Sequence, residues 1–231
     1  RGITAMNYSE YIAYHRRGDA GVEERMIASL AKRLCLSWWD TFKLIYFYTM
    51  TYHIPSALRL LLKPATTRQH DLVFRTDRRY VRCNGAYDKL LNELNHNMLV
   101  SLQHCRTTEE AYNTVRKWFF FGRYAAFLLL EVYCNCFRPD WQDNLRFKWE
   151  ADENYTKGAV HIIGTSDHNA LDAFLEQAKK DTADNCFAIE TSLCSVAKFV
   201  KGTRWDGFYT ERMLQEADKS HDYRQLIYAC L

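Results

Sequence analysis

Proline and glycine are scarce, with 3 Pro and 9 Gly in 231 residues. A sandwich or barrel with many tight turns needs more of both, so the composition leans helical. No charge dominates either: 31 Lys and Arg stand against 28 Asp and Glu, a net +3. The molecule is no polycation, and any contact with nucleic acid has to come from a local patch. A long apolar run is also missing. The most apolar stretch, Trp118 to Cys136, is interrupted by Arg123 and Glu131, too short and too charged to span a bilayer. The 8 cysteines are scattered, with no C-x-x-C spacing and one close pair, Cys134-Asn135-Cys136. That pattern argues against a zinc ribbon or an iron–sulfur cluster, and no metal ligand set is visible. With no secretory signal it favours reduced thiols in a cytoplasm. Glycine-rich phosphate loops, Gly-x-Gly-x-x-Gly, His-Glu-x-x-His and Gly-x-Ser-x-Gly are absent too, which excludes a P-loop kinase, a dinucleotide oxidoreductase and a serine hydrolase. The composition describes a soluble, intracellular, metal-independent domain.

What is present is helical periodicity and an aromatic content of 15%. The expected helices are Val22–Leu36, Ser37–Met50 with Ser37 as cap, Ser56–Lys63 after Pro55, and Tyr87–His104. Thr107-Thr108-Glu109-Glu110 reads as a capping box opening a helix to Phe121, and Gly122 as a bend before a buried helix, Arg123–Cys136. Residues 137–165 carry Pro139, Gly158 and Gly164 and read as loop. Further helices are expected from Ser166 or Asp167, from Asp184 to about Val200, and from Asp206 to Lys219. The chain opens Arg1-Gly2-Ile3 without an initiator Met, and residues 1–20 read as a flexible or expression-derived N-terminus. The whole, 1–231, is expected to be a single all-α domain, a bundle of roughly eight to ten helices.

Three stretches carry candidate chemistry. Between Glu190 and Arg212, successive helical residues turn by roughly 100°, which lines up Glu190, Cys194 and Lys201 with Lys198 further round. Gly202 and Gly207 bracket a turn carrying Arg204, and Tyr209 and Arg212 return on the next helix. Converging cations at such a corner suit phosphates; the structural alternative is an amphipathic corner with solvated lysines. A Cys194 nucleophile has no histidine near it in sequence. In the second stretch, Arg123 and Glu131 sit among apolar residues, where an ionised group is costly unless paired. Glu131 is a candidate general base, or half of a structural ion pair. The third is the run from Arg59 to Arg82, with Arg68, Arg75, Arg78, Arg79 and Arg82 interleaved with Phe74 and Tyr80. It suits a polyanion backbone or, alternatively, a solvated loop. An aromatic stripe with Tyr48, Tyr52 and the lone His53 precedes it, mostly core in character.

Taken together, Ser37-Trp38 leading to Tyr46-Phe47-Tyr48, Tyr52-His53 with Ser56-Ala57, and Arg116-Lys117-Trp118 to Gly122-Arg123-Tyr124 with Glu131 form a pattern. It ends in Thr191-Ser192-Leu193-Cys194 with Lys198, then Lys201-Gly202-x-Arg204-x-x-Gly207-x-Tyr209-x-x-Arg212. The pattern resembles the bacteriophage amino acid:DNA transferases, the alpha-glutamyl/putrescinyl-thymine pyrophosphorylases, from about Arg33 to Glu216. The resemblance implies an all-α, DNA glycosylase-like enzyme in the cytoplasm of an infected bacterial host. Its partners would be double-stranded DNA carrying a pyrophosphorylated hydroxymethyluracil and a small amine or amino acid, with no membrane. In that reading Lys198, Lys201, Arg204 and Arg212 neutralise the departing pyrophosphate. Glu131, Glu190 or His53 takes the amine proton, and Arg116 or Arg123 holds an amino-acid carboxylate. Tyr48, Tyr52, Trp205 or Tyr209 stacks on a flipped base, with Cys194 close by. No cofactor is identified, although Mg²⁺ commonly travels with pyrophosphate. The rival readings are a helical glycosylase-like enzyme and a non-enzymatic helical DNA-binding protein.

Overall fold

The structure, a computed structural model, describes residues 6–83, 85–141, 154–201 and 209–231. It is all-α, with no strand among the described residues. The helices run in order α1 (Tyr8–Gly18), α2 (Val22–Arg33), α3 (Trp38–Thr51), α4 (Ile54–Leu62), α5 (Ala86–Glu93), α6 (His96–His104) and α7 (Thr108–Val115). They continue with α8 (Arg123–Phe137), α9 (Asn154–Ile163), α10 (His168–Thr182), α11 (Cys186–Val200), α12 (Tyr209–Asp218) and α13 (Arg224–Tyr228). Short 3-10 segments at Gln69–Asp71, Thr76–Arg82 and Pro139–Trp141 shape the connections. No described helix is long and apolar enough to cross a membrane, and no two cysteines among the described residues are joined.

Local side chains set most helix ends. Ser37 Oγ accepts the Asp40 amide at 3.0 Å to start α3, and Asp167 accepts the Ala170 amide at 2.9 Å to start α10. Four expectations need correction. Tyr87–His104 is two helices, not one: Asn95 accepts the Asn97 amide at 3.0 Å and donates to the Glu93 carbonyl at 2.6 Å, so its amide competes with the ladder and breaks it. Thr107 does cap α7, accepting from Glu110 N at 3.1 Å. The Glu110 carboxylate, however, accepts from Arg106 N at 2.7 Å, and the helix stops at Val115 instead of Phe121. Asn185, not Asp184, caps α11, because the Asp184 carboxylate is committed to His15 Nε2 at 2.6 Å. The loop expected over 137–165 contains α9, in which Gly158 serves packing.

Helices α1 and α13 were not foreseen. α1 opens on a reciprocal cap, Asn7 accepting Glu10 N at 3.0 Å and Glu10 accepting Asn7 N at 2.7 Å. It falls inside the stretch read as a flexible N-terminus.

The chain forms two compact units, Arg1–Val22 with Gln142–Met213, and Glu23–Trp141 with Leu214–Leu231. In the first, α9 and α11 make the closest helix pair, and a β-carbon at Gly158 would overlap the Leu193 carbonyl. Tyr8 and Tyr11 of α1 pack on Phe174 of α10 at 5.7 and 5.6 Å between ring centres. In the second, α3 and α8 are buried almost all round, the mark of central helices. Tyr46 ties α3 to α5 by donating to the Leu90 carbonyl at 3.0 Å.

Candidate functional site

The corner between α11 and α12 lies within the first unit. Glu190, Cys194 and Lys198 recur every four residues along α11, so they share one flank, and Lys201 at the helix end is exposed. Glu190 is buried and accepts a hydrogen bond from Thr191 Oγ1 at 3.5 Å. Tyr209, the first residue of α12, is buried against α11. Its hydroxyl meets Ser195 Oγ and donates to the Thr191 carbonyl at 3.3 Å. The Arg212 guanidinium then lies over the Tyr209 ring at 5.4 Å. The corner thus combines one buried carboxylate with cations on two consecutive helices. Arg204 and Trp205, expected in the turn, lie outside the described residues.

The second unit holds a cavity of about 520 Å³ lined by α4 and the C-terminal end of α12, with Asp71 and Val73 at its side. The end of α3 leads to it through His53, the first lining residue. Tyr52 is left-handed (φ 52°), and its amide donates to the Tyr48 carbonyl at 2.5 Å. The turn releases the Tyr52 carbonyl, which accepts from Arg75 Nε. The same guanidinium stacks on the Tyr52 ring at 4.6 Å and grips Glu23 with both terminal nitrogens, Nη1 to Oε1 at 3.1 Å. It also lies 3.5 Å from Glu216 Oε1. Glu23 is 1% exposed, so this pairing is what makes its ionised form tolerable there. The Tyr48 hydroxyl lies 3.1 Å from Glu23 and 3.0 Å from Glu24. Burial first, then the Glu24 and Glu23 charges, push its pKa well up, so it stays a donor.

His53 caps α4, and Nδ1 accepts the Ser56 amide at 3.2 Å. Ser56 Oγ accepts the Val73 amide at 2.8 Å and so turns its proton to His53 Nδ1, also 2.8 Å away. Nδ1 therefore carries no proton, and the hydrogen-bond pattern assigns the Nε2–H tautomer. Nε2 faces Glu216 Oε2 at 3.8 Å across the cavity floor. Neutral His53 is thus a donor toward the cavity, not a ready base. At the rim, Lys63 and Arg59 reach the Asp222 carboxylate at 3.1 and 3.2 Å and hold its pKa below the ordinary range, Lys63 foremost.

The chain matches no protein-family model, no curated protein and no solved structure.

The sequence-nominated residues divide between the units. Glu190, Cys194, Lys198, Lys201, Tyr209 and Arg212 belong to the first; Tyr52, His53, Arg116, Arg123, Glu131 and the basic run belong to the second. Glu131 is buried on α8, where its charge is the second cause, after burial, of a raised Cys134 thiol. Arg123 is half-buried at the start of the same helix, and about 12 Å of helical rise separates the two. Arg116 is exposed and bonds the Tyr112 hydroxyl at 3.3 Å. The basic run is not one surface. Arg75 and Arg78 turn inward, Arg78 donating to the Phe120 carbonyl at 3.2 Å. Arg68, Arg79 and Arg82 are exposed, and Tyr80 beside them is 62% exposed. Tyr48, Tyr52 and Tyr209, nominated for base stacking, are all buried. Sequence reasoning missed Glu23, Glu24 and Glu216. A Glu-Glu pair in a first helical turn reads as a dipole complement, and nothing local links Glu23 to an arginine 52 residues away. Among the described residues no three His, Cys, Asp or Glu side chains converge as a metal site requires.

Proposed function

We propose that this protein is an amine:DNA transferase acting on 5-(pyrophosphoryloxymethyl)uracil in double-stranded DNA, in the cytoplasm of an infected bacterium. An amino acid or putrescine supplies the nitrogen. The new bond forms between that nitrogen and the methylene carbon, the carbon–oxygen bond to pyrophosphate breaks, and the amine proton passes to the Glu190 carboxylate. Support comes from the α11–α12 corner, where buried Glu190 stands on the same helix flank as Cys194 and Lys198, and Tyr209 carries Arg212 on the next helix. A leaving group of high negative charge calls for such cations, which act as the charge develops. Exposed Arg68, Arg79 and Arg82 with Tyr80 suit the DNA backbone. The same exposed residues favour the second reading, a helical DNA-binding protein without turnover.

The test is DNA rich in the pyrophosphorylated base, incubated with the protein and pooled amino acids and polyamines, with and without Mg²⁺. The digested nucleosides are read by mass spectrometry. An amine adduct with released pyrophosphate is expected. Lys201→Ala and Arg212→Ala should each lower turnover by about a hundredfold, with a much smaller change in DNA affinity. Intact substrate despite DNA binding selects the second reading, and released free base points to a glycosylase.

A further inference from the structure

We infer that the cavity between α4 and the end of α12 is a binding site for a free α-amino acid, held as a zwitterion. Its walls carry both signs of charge at helical spacing. His53, the cap of α4, and Ser56 and Arg59 within it recur every three residues and all line the cavity. On the facing segment Glu216 and Lys219 do the same, one turn apart, a rise of about 4.5 Å. That spacing suits a small molecule whose ammonium and carboxylate are both carried by one carbon. Glu216 is held from behind by Arg75 at 3.5 Å and flanked by His53 Nε2 at 3.8 Å, so its carboxylate is fixed at the floor as the ammonium acceptor. Lys219 has no ion-pair or hydrogen-bond partner among the described residues, whereas its neighbour Asp222 is met by Arg59 and Lys63. An exposed lysine beside a cavity with its charge unspent is the matching site for a carboxylate, whereas Arg59 is committed to Asp222. The volume of about 520 Å³ admits an amino acid with room for its side chain. A diamine would bring a second cation toward Lys219 and Arg59, and a bare phosphate would meet Glu216 and Asp71. The zwitterion alone satisfies both walls.

The inference does not depend on the transferase reading, and its test uses no turnover. Each of the twenty common L-amino acids is titrated into the full chain by calorimetry, with putrescine and pyrophosphate alongside. Saturable binding of one or more amino acids is expected. For the best of them, N-acetylation or conversion of the carboxylate to the amide should each weaken binding about tenfold or more, as loss of a charge-assisted contact does. In Lys219→Ala the free acid and its amide should bind alike, because the carboxylate has lost its partner. In Glu216→Gln the free and N-acetylated forms should bind alike. Lys219 is exposed, so its variant keeps the fold even where Glu216→Gln, which loosens Arg75, does not. Absence of amino-acid binding, binding of putrescine or pyrophosphate alone, or undiminished selectivity for the carboxylate in Lys219→Ala overturns the inference. Binding here with no DNA turnover defeats only the transferase reading, and turnover without binding here defeats only this one.

Discussion

At the scale of single residues, the basic run shows why side-chain type does not settle a role. Arg75 and Arg79 are four positions apart in a stretch that reads as one cationic patch. Arg75 is 11% exposed at its side chain and neutralises a fully buried Glu23, while Arg79 is exposed and donates to the Thr76 carbonyl at 2.8 Å. Removing one partner of a buried pair leaves an uncompensated charge, so Arg75→Ala should cost about 3–5 kcal/mol. Arg79→Ala should fall within about 0.5 kcal/mol of the parent. Urea midpoints of the two variants check this, and equal small losses would mean that Arg75 is solvated. His53 carries the same lesson. Its rank as a candidate base came from residue type, whereas the Ser56 and Val73 bonds decide which nitrogen holds the proton. Those bonds join residues up to 17 positions apart and leave no periodic mark in the sequence.

At the scale of helices, short-range signals were largely legible. Ser37 and Thr107 cap the helices that they were expected to cap, and of the two candidates Ser166 and Asp167 it is Asp167 that caps α10, because a cap is made within three or four residues. Glycine was the misleading signal. Gly158 was read as a loop residue, yet it lies inside α9 where that helix touches the Leu193 carbonyl of α11. The absent side chain is the point of contact. Gly158→Ala should therefore cost about 1–3 kcal/mol through forced separation of the two helices. Gly122 serves as the control: a β-carbon there meets nothing within 4 Å, and its φ of −63° suits any residue. Gly122→Ala should change stability by under about 1 kcal/mol. Thermal denaturation of both decides it, and a neutral Gly158→Ala would refute the close approach.

At the scale of the whole molecule, each compact unit joins one end of the chain to a segment distant in sequence, the first taking residues up to Val22 and the second those from Leu214. Ending the chain after Asp222 removes buried Tyr223 and Ile227 from the second unit. Amide exchange should then speed up in α3 and α4, while α9 and α11 keep their protection. Equal loss in α9 and α11 would show one cooperative body instead of two. The all-helical class was readable from composition and period, because scarce Pro and Gly and a 3.6-residue repeat are properties of the chain itself. The shared flank of Glu190, Cys194 and Lys198 was readable for the same reason, since all three lie on one helix, α11. The Arg75–Glu23–Tyr48 network, the charges that Glu216 and Lys219 bring to the wall opposite His53, and the division of the cations between surface and core were decided by the tertiary structure alone. Each depends on segments distant in sequence meeting in space, and such meetings follow from how helix faces pack, which no local pattern of residues encodes.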